Sequence, residues 1–145
     1  MKRYLSIFAV VLLCMNLLLS VASATDSNSV QIDYDDGSYA IVTTTIYRTT
    51  RAAVADSKSY TFYNPLGQKC FTYTLYATFS YNGSTSSADT VAFDVDIYHE
   101  DWDVVSHNEY TSGNCAYGSA IFSGPDGKQQ NASLYLRCDK NGNVT

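Results

Sequence analysis

Proline is nearly absent from this chain, with two residues in 145. Collagen-like, polyproline-rich and low-complexity linker architectures are excluded on that ground. Basic residues are also scarce: 9 Lys and Arg face 14 Asp and Glu, a formal net charge of −5. Such an acidic excess repels nucleic acid and anionic membranes, so neither is an expected partner. After residue 24 no apolar run approaches the ~18 residues of a membrane span, so no membrane association is expected once the leader is removed. Histidine occurs only twice, as His99 and His107. The zinc-protease box that His99-Glu100 begins has no second His at the required spacing.

The leader is the first thing that is there. Lys2 and Arg3 precede an apolar run from Ile7 to Leu19, and Ala22-Ser23-Ala24 is a small-x-small site for signal peptidase. Residues 1–24 are therefore expected to be a signal peptide and the product to be secreted. Removing 24 of the 145 residues leaves 121, with net charge −7 because two of the basic residues go with the leader. That length is one domain. It buries roughly two-thirds of the surface its unfolded chain exposes, so no metal or other cofactor is expected to be needed for folding.

Beyond the leader, 12 Tyr, 5 Phe and 1 Trp equal the 17 Leu, Ile and Val in weight, and Ser and Thr add 28 more residues. Rings must therefore fill much of the core, each burying ~150–250 Å². β-branched and aromatic residues fit pleated, half-buried surfaces, and strong helix formers are few. The composition predicts an all-β fold.

Residues 25–36 (TDSNSVQIDYDD) are polar and acidic and read as a leader before a single domain over 37–145. Strand signals then follow over 38–53, 58–63, 68–81, 90–98, 102–111, 114–123 and 128–138. The run 68–81 is the clearest, with Phe71, Tyr73, Leu75, Ala77, Phe79 and Tyr81 alternating with Thr72, Thr74, Tyr76, Thr78 and Ser80. Asn64-Pro65-Leu66-Gly67 and Asn82-Gly83 supply turn chemistry. Short strands at hairpin spacing predict an antiparallel β-sandwich of about 6–8 strands, with a small β-barrel as the alternative.

Three cysteines follow the leader: Cys70, Cys115 and Cys138. A last hairpin centred on Pro125-Asp126 would put Cys115 and Cys138 on one face as diagonal neighbours, making them the disulfide candidate. Period two puts Cys70 on the Thr-rich side of its strand. A nucleophilic Cys70 would need an activated thiolate beside an imidazole, and nothing around Gln68-Lys69-Cys70-Phe71 marks such a turn.

Carboxylates crowd the segment 94–103. A hairpin turning at Glu100-Asp101 would place Asp94 opposite His107 and Tyr98 opposite Asp103. A calcium site built from Asp94, Asp96, Asp101 and Asp103 is weighed against a solvated face that discourages edge pairing, and the solvated face is preferred. No metal ligand set is expected.

The stretch Tyr60 to Ser84 (YTFYNPLGQKCFTYTLYATFSYNGS), the segment IYHEDWDV and the ending LYLRCDKNGNVT resemble a group of small exported proteins of Gram-positive, often intestinal, bacteria. The resemblance spans roughly residues 58–145. It implies an exported β domain and carries no activity, cofactor or catalytic residue. Those proteins place a cysteine near Ser87-Ala88, and Ala88 here leaves Cys138 to find another partner.

Two functional classes remain. The first is a secreted non-enzymatic domain that binds a protein or glycan partner, with Tyr76, Tyr98 and Tyr135 on outward strand faces as the binding residues. The second is a small secreted hydrolase using the acidic stretch or Cys70, for which the sequence shows no nucleophile motif, metal box or acid–base pair.

Overall fold

The alternation from Phe71 to Tyr81 marks the strand at the heart of the molecule. The computed structural model describes residues 25–48 and 53–145, so the expected signal peptide lies outside the described residues. The described residues form eight strands: β1 (Thr25–Asp33), β2 (Tyr39–Arg48), β3 (Ala53–Tyr63), β4 (Lys69–Tyr81), β5 (Ser86–Ile97), β6 (Asp103–Ser112), β7 (Cys115–Ser123) and β8 (Gln129–Arg137). They form a five-stranded sheet in the order β1-β2-β3-β4-β5 and a three-stranded sheet β6-β7-β8, antiparallel throughout. The fold is an all-β sandwich and not a closed barrel.

The inner face of the large sheet supplies the rings. Phe62 of β3 and Phe71, Tyr73, Leu75 and Phe79 of β4 are fully buried, with Tyr60 nearly so. The small sheet answers with small residues at its centre, Ala116, Gly118 and Ala120 on β7 and Ala132 on β8, beside the buried Phe122, Leu134 and Leu136. The reason is visible at Gly118, where an added Cβ would stand 2.6 Å from Leu75 Cδ1. Large side chains from one layer fill the space that Ala and Gly leave in the other. Phe71 stacks on Phe122 with centroids 3.7 Å apart, and Trp102 closes the end against Phe62 and Phe71 at 5.2 and 5.1 Å.

Several expectations are corrected by this arrangement. The polar stretch 25–36 is no leader, because Thr25–Asp33 is β1 and pairs along its whole length with β2. Its alternation is weak because only Val30 and Ile32 mark the inner face. The long strand expected over 38–53 is β2 followed by the start of β3, and residues 49–52 between them lie outside the described set. The strands expected over 90–98 and 102–111 do not form a hairpin turning at Glu100-Asp101: β5 is an edge of the large sheet and β6 an edge of the small one. The residues between them carry the chain from one layer to the other.

The closing hairpin differs by one residue. Its loop spans Gly124 to Lys128, with Asp126 at positive φ (57°), and strand pairing resumes at Ser123↔Gln129. Cys115 therefore pairs with Arg137. A one-residue slip turns every side chain to the other face. Cys115 points outward while Cys138 is buried inward, and Cys70, Cys115 and Cys138 are all free thiols. The Cys115–Cys138 bridge expected from the sequence is not formed.

Cys70 also departs from simple alternation. Phe62 pairs with Phe71 but Tyr63 pairs with Lys69, so Cys70 is the extra residue of a bulge. It is fully buried instead of lying on the Thr-rich face.

Candidate functional site

Period two along the small sheet assigns each outward residue to a cross-strand row. Tyr110 of β6, Tyr117 of β7 and Tyr135 of β8 are mutual partners in the two ladders, so three tyrosines stand in one line across the sheet. Tyr110 is 50% exposed and Tyr135 55%. The rings of Tyr110 and Tyr117 stack with centroids 4.9 Å apart. Lys58 Nζ lies 5.0 Å from the centre of the Tyr135 ring and donates to the Tyr135 carbonyl at 3.1 Å. It holds the outermost ring from the sheet below.

One step along the strands is a polar row. Asn108 pairs with Ser119 and Ser119 with Ser133, about 7 Å from the tyrosines at the pleat repeat. Between the rows lies a shallow depression of about 240 Å³, lined by Tyr110, Tyr117, Ser119, Ser133 and Tyr135. On the other side of the tyrosines stand Cys115 and Arg137. The Cys115 thiol beside the Tyr117 hydroxyl pushes that phenol above its ordinary range, against a smaller opposing pull from Arg137.

The row is fixed by what lies beneath it. Gly118, between Tyr117 and Ser119, faces inward over Tyr73 and Leu75. Tyr73 in turn donates to Glu109 Oε1 at 2.7 Å, and His107 Nδ1 lies 2.9 Å from Glu109 Oε2. His107 packs on Phe93 of β5 with centroids 4.0 Å apart. These contacts bind β6 to the large sheet and hold Tyr110 in line. Burial and the neighbouring Glu109 push the Tyr73 phenol well above its ordinary range, so it stays a donor.

The three tyrosines singled out from the sequence do not meet. All are exposed, at 44% for Tyr76, 52% for Tyr98 and 55% for Tyr135. Tyr76 lies on the outer face of the large sheet opposite Ser57 and Ala92. Tyr98 follows β5, with Lys69 Nζ over its ring at 3.9 Å. Only Tyr135 belongs to the row. Tyr110 and Tyr117 were missed because their alignment depends on the correct register of two hairpins, which no local pattern prints.

The acidic residues are likewise dispersed. Asp94 and Asp96 sit on the outer face of the large sheet, opposite Thr74 and Thr72. Asp101 lies in the crossover, 3.5 Å from His99 Nδ1, and Asp103 opens β6. Asp94 and Asp103 each accept from the next residue's backbone N–H, at 2.9 and 2.8 Å. Among the described residues no group of three or more His, Cys, Asp or Glu is placed to hold a metal ion.

Two groups bear on a catalytic reading. Burial pushes the Cys70 thiol up, the opposite of the activation a thiolate nucleophile requires. Asp56, on the inner face of β3, is 2% exposed and neither carboxylate oxygen has a hydrogen-bond partner. Burial pushes it up to about 7, against a smaller opposing pull from Ser57 and Lys58. Its cross-strand neighbours are the apolar Ile46 and Ala77.

The turn after β4 and the C-terminal turn come together. Gly142 lies against the ring of Tyr81, and Gly83 N–H donates to the Lys140 carbonyl at 2.9 Å. An added Cβ at Gly142 would collide with that ring, and its φ of +84° independently favours glycine. Asp139 Oδ1 accepts from the N–H groups of Asn141 and Asn143 and tightens the turn. These residues are structural. Comparison with family models, curated proteins and solved structures finds no match for this chain.

Proposed function

We propose that this protein is an exported, non-enzymatic binding domain whose small-sheet face stacks on a sugar ring. The observation that carries the reading is the line Tyr110–Tyr117–Tyr135 beside the polar line Asn108–Ser119–Ser133. A pyranose has an apolar C–H face and a rim of hydroxyls. Aromatic rings meet the first and short hydroxyl or amide side chains the second. The depression, at about 240 Å³, is smaller than the ~300–1,000 Å³ of enclosed small-molecule sites, which suits an exposed ring of an oligosaccharide. Export is supported by Lys2, Arg3, the apolar run to Leu19 and the Ala22-Ser23-Ala24 site. The resemblance to exported proteins of Gram-positive bacteria points to the same surroundings, where glycans are abundant.

The test is direct binding to a glycan array and to purified cell wall. Tyr110→Ala and Tyr135→Ala should each weaken binding about tenfold or more, as truncating a central aromatic anchor does. Thr74→Ala, on the opposite sheet, should leave it unchanged. Absence of glycan binding, or binding indifferent to both tyrosines, would remove this reading.

A further inference from the structure

The two layers of the sandwich do not match in width. The small sheet lies over β3, β4 and β5, with β8 packed on β3. The inner faces of β1 and β2 therefore project beyond it. Val30 is 59% exposed there and Ile32 42%, with Val42 and Ile46 partly buried beside them. Two strands occupy about 10 Å of width, so the missing part of the small sheet is one or two strands wide.

A start on that missing strand already exists. Arg137 N–H donates to the Thr145 carbonyl and Thr145 N–H to the Arg137 carbonyl, both at 3.0 Å, and Cys138 bridges Val144. Val144 and Thr145 thus lie along the free edge of β8. The same edge continues through Tyr135, Ser133 and Asn131, whose backbone groups point away from β7 by the period of two. Lys58 takes the Tyr135 carbonyl. Among the described residues, the outward N–H and C=O of Ser133 and Asn131 have no backbone partner. Between this edge and the projecting face is a groove of about 500 Å³, lined by Asp26, Asn28, Val42, Ile46, Lys58 and Val144, among others.

We propose that this groove receives one extended segment of another polypeptide, added as a strand to the edge of β8. Its backbone would pair with Asn131 and Ser133, and alternate apolar side chains would rest on Val30, Val42 and Ile46. Backbone pairing supplies affinity in such strand additions, and the pockets for alternate side chains supply selectivity. The dimensions choose this occupant. A second folded copy joined edge to edge through β8 would drive its own projecting β1 and β2 into those of the first. A small molecule would leave the unpaired row of amides and carbonyls unmatched. The groove carries one anion and one cation, Asp26 and Lys58, so it selects an uncharged, period-two segment rather than a charged peptide.

The experiment uses the secreted chain and an uncharged fluorescein-labelled probe, Ser-Val-Thr-Val-Thr-Val-Ser with blocked ends, read by anisotropy, with Lys-Val-Thr-Val-Thr-Val-Lys as the charged comparison expected to bind more weakly. Saturable binding is expected. Asn131→Pro removes an outward N–H that no neighbouring strand uses and should weaken binding about tenfold or more, whereas Asn131→Ala keeps the N–H and should bind within about twofold of the parent. Val30→Asp, at an exposed position, should also weaken it about tenfold, and Thr43→Ala on the outer face should not. Thermal melts of each variant establish that it is folded. The proposal is overturned by absence of saturable binding, by equal binding to the folded Asn131→Pro protein, or by a dimer in sedimentation that dissociates on Val30→Asp.

Discussion

The sandwich has two outer faces built on the same pleated framework, and they differ in what they leave free. On the large sheet the hydroxyls of neighbouring strands satisfy one another: Ser29 with Thr43 at 2.9 Å, Ser59 with Thr74 at 3.1 Å, Thr61 with Thr72 at 3.0 Å and Thr78 with Thr90 at 2.7 Å. Thr72 and Thr74 are only 8% and 9% exposed despite facing outward. Along these rows the face is closed on itself, and its exposed rings, Tyr47 and Tyr76, are not cross-strand partners. The small sheet instead turns three phenol rings and a row of short polar groups to solvent, with few partners among themselves. What distinguishes the small sheet is that its rings stand in one cross-strand row beside free polar groups, an arrangement suited to recognition.

The contrast can be broken at three levels. The largest effect is expected beneath the faces: Phe79→Ala should destabilise by about 3–5 kcal/mol, as truncation of a buried aromatic does. Thr78→Ala, its outward neighbour, should cost less than about 1 kcal/mol in denaturant melts. Equal losses would mean that the inner and outer faces of β4 are misassigned. Next is Asp56. Its folded pKa of about 7 lies above its ordinary 3.8, so between these values the folded state holds a proton that the unfolded state lacks. Stability should therefore fall as pH rises from 4 to 8, by roughly 3–4 kcal/mol. Asp56→Asn should flatten that dependence, and a parent protein equally stable at both pH values would contradict it. The smallest effect concerns Asp94 and Asp96 on the closed face. Calcium and magnesium at matched ionic strength should give melting temperatures within about 2 °C of each other, because dispersed carboxylates are only screened. A larger calcium-specific rise, lost in Asp96→Asn, would show a built site.

How much of this was legible depended on whether a feature was local. The alternation from Phe71 to Phe79 fixes the inner face of β4 by itself, since five apolar residues at period two admit one orientation. The turn at Asn64-Pro65-Leu66-Gly67 was equally plain, and Gly67 N–H does donate to the Asn64 carbonyl at 2.9 Å. The hairpin around Asp126 was not. A two-residue centre and a three-residue centre differ by one position, and that difference reverses Cys115 relative to Cys138. The crossover after Tyr98 resembles a turn locally, and only the packing of Trp102 against Phe62 and Phe71 sends the chain to the other layer. Tyr135 could be read as outward from its own strand, but its alignment with Tyr110 and Tyr117 is set by two registers at once.

Glycan recognition by the tyrosine row is tested by mapping where a glycan touches the folded protein. Backbone amide spectra of the labelled chain would be recorded during titration with chitotetraose, cellotetraose and a soluble cell-wall digest. Shifts concentrated at Asn108, Tyr110, Tyr117, Ser119, Ser133 and Tyr135 are expected with at least one of these, and none at Thr43, Thr72 or Thr74. Shifts centred on the threonine face, or none with any of the three, would contradict recognition by the tyrosine row.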